Sequence, residues 1–88
     1  METLFRSTYI ATATTTTVKT GTGRLHAITV TETAAGTIIV YDNTEASGTI
    51  IASFKASVAE QTFTLNVKFT IGLTIVTGAA SKLTVSSL

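Results

Sequence analysis

The sequence predicts an all-β protein, an antiparallel β-sandwich of about eight strands in a single domain spanning residues 1–88. Three observations carry this expectation. About a quarter of the residues are threonine, and together with Ile and Val they supply the branched side chains that suit a pleated surface. Apolar runs and turn-forming residues alternate about every 8–12 residues, the spacing of a sandwich or barrel. No apolar i, i+3, i+4 pattern is sustained anywhere in the chain. Proline is absent, so the turns must rest on Gly, Asn, Asp and Ser.

Taken in order, strands are expected near Thr3–Thr12, Thr15–Thr20, Arg24–Glu32, Thr37–Asp42, Thr49–Phe54, Gln61–Val67, Leu73–Thr77 and Lys82–Ser87. "GTG" at 21–23 and "AAG" at 34–36 supply permissive backbone between the early strands. "DNTEASG" at 42–48 reads as a loop of Asx and small residues, and "GAAS" at 78–81 as a hairpin connection. Residues 56–60 fit either a loop or one helical turn. The low-complexity stretch "ATATTTTVKT" (11–20) reads as a surface strand with a threonine ladder. The alternative is that residues 1–16 form an N-terminal arm that orders against a neighbour, anchored by Leu4, Phe5, Tyr9 and Ile10.

Two kinds of strand are distinguished by parity, because successive side chains point to opposite faces. Phe63, Leu65, Val67, Phe69 and Ile71 alternate with polar residues, as do Leu83 and Val85, so these strands should bury one face. Ile38–Tyr41, Ile50–Ile51 and Ile75–Val76 are apolar at both parities. One parity should fill the core, with Ile38 and Val40 on one face and Ile39 and Tyr41 on the other. The second parity is expected to meet a neighbouring subunit or shell, unless the chain's own N-terminal segment covers it.

Composition narrows the function. A domain this small buries only about 60% of the surface its unfolded chain exposes. It has no cysteine and a single histidine, His26, so disulfides, thiolate sites and multi-histidine metal sites are excluded. Partner subunits remain as the added support. The net charge is +1, and Arg6, Lys19, Arg24, Lys55, Lys68 and Lys82 stand singly along the chain, which argues against nucleic-acid or anionic-membrane capture. No apolar run approaches the roughly 20 residues of a transmembrane helix, and "METLFRSTYI" lacks the basic start and apolar core of a signal peptide. There is no nucleophile elbow, Walker-type loop or dinucleotide fingerprint. His26 has no neighbouring carboxylate in sequence, so no enzyme is expected, and no cofactor. Asp42, Asn43 and Glu45 could offer oxygens to Ca²⁺ but fall short of the six to eight that the ion takes. They read instead as an Asx-type turn, and no metal is expected. Tyr41 beside this loop is the one plausible platform for a sugar ring.

Residues 17 to about 87 resemble a recurrent type of small phage virion structural protein. The likeness runs through "TVKTGTGRLHAITV", "GTIIVYDNTEASGTIIASF" and "FTLNVKFTIGLTIVTGAASKLTVS". Its marks are Leu25, Ile28 and Val30, then Val40, Tyr41, Asp42, Thr44, Ala46, Ser47, Gly48 and Thr49, then Phe69, Gly72, Leu73 and Val76. The resemblance implies a jelly-roll-like sandwich, preferred on that ground over an immunoglobulin-like order. It implies a non-enzymatic role in the virion, made in the host cytoplasm: a decoration (cement) protein on the capsid, or alternatively a fibre, collar or tail component. A carbohydrate-binding host-attachment module is the third reading. Expected partners are the major capsid protein or other virion proteins, and further copies of the chain, as a trimer ahead of a dimer. The interface residues expected are Leu4, Phe5, Tyr9, Ile10, Ile39, Tyr41 and Ile51.

Overall fold

The computed structural model describes residues 6–88. Eight strands follow one another: β1 (Arg6–Ile10), β2 (Thr15–Thr20), β3 (Gly23–Glu32), β4 (Ile38–Asp42), β5 (Thr49–Phe54), β6 (Thr62–Phe69), β7 (Gly72–Thr77) and β8 (Lys82–Ser87). None of the described residues is helical. The pairing is that of one long antiparallel hairpin rolled up. β1 pairs with β8, β2 with β7, β3 with β6 and β4 with β5. Two further ladders, β3 with β8 and β4 with β7, close this ribbon into two sheets ordered β1-β8-β3-β6 and β2-β7-β4-β5. That is the jelly-roll order, and it sets aside the immunoglobulin alternative, in which sequential strands pair differently.

The core lies between the sheets. One contributes Ile10, Leu25, Ile28, Val30, Phe69, Leu83 and Val85, the other Ile38, Val40, Leu73 and Ile75. Along one side, where edge strand β5 lies over edge strand β6, Phe54 and Phe63 close the sandwich with ring centroids 4.8 Å apart. Residues 56–60 form no helical turn. Ser57 takes a positive φ of 56° there and Val58 turns into the core.

Bulges adjust which side chains face inward, because an extra residue in one strand shifts its parity. Val18 is extra in β2 against β7, His26 in β3 against β8, and Ile51 in β5 against β4. The His26 bulge explains the uneven spacing of Leu25, Ile28 and Val30: the first two lie three apart, yet both are fully buried. On the other side of β3 the extra residue falls in β6, where Asn66 adopts φ 50°. His26 Nδ1 lies 2.9 Å from Asn66 Oδ1, so a side-chain hydrogen bond spans the distortion.

The strand bounds expected from sequence hold within a few residues, with one informative departure and one alternative set aside. β6 runs on to Phe69 and joins β7 through only Thr70 and Ile71. Ile71 therefore sits at the tip of a turn, 55% exposed, rather than continuing the buried face. Residues 6–10 and 15–20, which an arm would have taken from the fold, are strands of this chain's own sheets. Thr77 fastens the link between them: its hydroxyl donates to Thr12 O, and its N–H donates to Thr14 O at 2.9 Å.

Candidate functional site

The outer faces of the two sheets differ in chemistry. On the β1-β8-β3-β6 sheet, register aligns Tyr9, Thr84, Thr29 and Thr62 in one row and Ser7, Ser86, Ala27 and Thr64 in the next. This face is mostly hydroxyl, and Thr29 and Thr62 hydrogen-bond across the strands at 3.0 Å. On the β2-β7-β4-β5 sheet, Ile39 lies opposite Val76, and the adjacent Tyr41 lies opposite Ile50. The four form a continuous apolar patch. Ile39, Tyr41 and Val76 are half-buried by their neighbours, and Ile50 is 53% exposed.

The parity expected for β4 holds: Ile38 and Val40 are buried, while Ile39 and Tyr41 look outward. In β5 the bulge changes the assignment. Ile51 turns in to pack against the core and Ile50 takes the outward position. Parity counting could not find this, because it assumes no inserted residue. Tyr9 is 61% exposed on the hydroxyl face, whereas Ile10 is almost fully buried in the sandwich core. Ile10 is therefore a core residue of the domain, held by the pairing of β1 with β8. Leu4 and Phe5, also expected at an interface, lie outside the described residues.

The apolar patch ends at a loop that is stiffened from below. The Asp42 carboxylate accepts from the N–H groups of Thr70 (3.0 Å), Ile71 (2.9 Å) and Gly72 (3.4 Å), and from the Thr70 hydroxyl (3.3 Å). These bonds, that from Ile71 foremost, hold its pKa below the ordinary carboxylate value against a smaller opposing effect of desolvation. Asn43 follows with an Asx-type arrangement: Oδ1 accepts from Thr44 N–H at 2.7 Å and Nδ2 donates to Ser47 O at 3.0 Å. From the neighbouring strands the Thr74 hydroxyl donates to Asn43 O (2.8 Å) and the Thr17 hydroxyl to Thr44 O (3.1 Å). Asp42 and Asn43 are thus committed to backbone partners, which is the turn role. Among the described residues no three His, Asp or Glu side chains group as a metal site would require. Gly72 is needed at this junction, since a Cβ there would stand 2.9 Å from Lys19 O and 3.0 Å from Asn43 O.

Cations that are single in sequence are not all single in space. Arg24 lies directly opposite Lys68 in the β3–β6 ladder, and Lys19 borders the same shallow depression. Comparison with protein-family models, with curated proteins and with solved structures gives no significant match.

Proposed function

We propose that this chain is a non-enzymatic structural protein of a phage virion, most simply a decoration (cement) protein that stabilises the capsid by adhesion. The observation that carries the reading is the unequal chemistry of the two outer faces, hydroxyl on one sheet and apolar at Ile39, Tyr41, Ile50 and Val76 on the other. The jelly-roll order, an architecture used by capsid domains among others, and the sequence resemblance support it. We read these contiguous apolar side chains as the interaction surface. Covering what is still open of these side chains, half of Ile50 and a smaller part of the other three, contributes at most about 1 kcal/mol each. The hydroxyl face stays in water, and the apolar face meets copies of the chain or the major capsid protein.

Self-association is part of the proposal, as a trimer ahead of a dimer, because symmetric closure satisfies one patch with copies of itself and capsid shells offer threefold seams. Light scattering after size exclusion tests it. An oligomer is expected for the native chain, and a monomer for the Ile39→Lys/Ile50→Lys double variant. A native chain that stays monomeric at tens of micromolar refutes self-association. Mass spectrometry of purified particles tests the location. A high copy number supports the decoration role, a low one favours a fibre, collar or tail component, and absence from the particle sinks the virion assignment.

A further inference from the structure

We propose that Arg24 and Lys68, flanked by Lys19, form a binding site for a phosphate-class oxyanion at the end of the sandwich where β2 crosses to β3. The first ground is a conflict in the ladder. Arg24 and Lys68 are directly opposed on neighbouring strands, and like charges in that relation destabilise a sheet. Among the described residues no acidic side chain is ion-paired with either of them. The ion pair among the described residues is Glu32 with Lys82, on another part of the sheet, and Asp42 is committed to the β6–β7 turn.

The second ground is shape. The depression is lined by Lys19, Thr22, Gly23, Arg24, Lys68 and Leu88, with no acidic side chain. Its neutral donor is spent, because the Thr22 hydroxyl donates to Phe69 O at 3.0 Å. The Lys19 ammonium is held in place by Leu88 O at 3.2 Å. Arg24 and Lys68 are left as the uncommitted pair.

A phosphate suits this pair better than a carboxylate. The forked guanidinium can take two of its oxygens and the Lys68 ammonium a third, and a second negative charge offsets both cations. Two free cations match one oxyanion, not the extended stripe that a nucleic-acid backbone needs.

The test is a titration of the isotope-labelled full chain with sodium phosphate, with sodium chloride at matched ionic strength and sodium acetate as the other arms, read at the backbone amides of Gly23, Arg24, Lys68 and Phe69. Saturation by phosphate alone is expected. Arg24→Gln and Lys68→Gln should each weaken it about two- to fivefold, and the double variant roughly tenfold, as for exposed charge pairs. Both residues are exposed, so the variants should fold. Without phosphate, Lys68→Gln should melt higher than the native chain, because the opposed charges are relieved. Shifts that are the same in chloride, saturation by acetate at equal affinity, or saturation unchanged in the double variant would each overturn the site. So would a lower melting temperature for Lys68→Gln.

Discussion

Ile38 and Ile39 are adjacent, identical in chemistry and opposite in fate, so truncating each to Ala isolates what the sandwich does with its two faces. Ile38 is fully buried against both sheets' core residues. Its loss removes the transfer energy of three carbons and leaves a cavity in a thin core, costing about 2–5 kcal/mol. At roughly 0.05–0.15 kcal/mol per residue, a chain of 88 residues has a total stability of about 4–13 kcal/mol. Ile38→Ala therefore consumes a large share of it. Ile39 is half-buried on the outer face, and its truncation should cost about 1 kcal/mol in the monomer. Urea unfolding at low protein concentration measures both. Ile38→Ala should lower the midpoint several times more than Ile39→Ala, with the slope unchanged. In thermal melts the difference should exceed about 4 °C. Equal losses for the two would refute the assignment of faces, and with it the patch on which the proposed interface rests.

Three further outcomes follow from the same geometry. The Ile71, Thr70 and Gly72 N–H groups hold the folded pKa of Asp42 below the ordinary aspartate value, so its contribution is fully present above that ordinary value and is lost as pH falls through the folded pKa; acid titration of Asp42→Asn should lack part of the low-pH destabilisation of the native chain. Gly72→Ala places a methyl against two carbonyl oxygens and should destabilise by about 1–3 kcal/mol, whereas an Ala at Gly21, where nothing lies within 4 Å but φ is +95°, should cost only the backbone strain of about 1–2 kcal/mol. Asn66→Gly keeps the φ of 50° accessible but gives up the bond to His26, so it should cost no more than about 1 kcal/mol in chemical denaturation, while Asn66→Val, which also strains the backbone, should cost about 1–2 kcal/mol more.

The candidate face was half legible in the chain. The outward parity of Ile39 and Tyr41 follows from alternation alone, since β4 carries no bulge against β7. The exchange of Ile50 for Ile51 does not, because a bulge in an edge strand is a response to twist and to the partner's register. The burial of Ile10 was missed for a related reason. β1 lies in the sheet by pairing with β8, at the other end of the chain, and no local pattern signals a partner so distant. The placement of Asp42 under the β6–β7 turn is of the same kind: its donors lie 28 to 30 residues away.

Where each strand begins and ends is local chemistry. Branched residues favour extended backbone, and Gly21, the Asp42–Asn43 pair and Gly78–Ala79 interrupt it, so the eight strands and the all-β class are written in the order of residues. The spacing of Leu25 and Ile28 also carries its bulge openly, once three is read as one more than two. Which strands pair, and so which side chains meet, is decided only when the ribbon rolls up. Arg24 and Lys68 are 44 positions apart in sequence and directly opposed in register, and Ile39 meets Val76 in the same way. Burial of two apolar faces against each other selects that global arrangement, and it is a property of the whole chain rather than of any stretch within it.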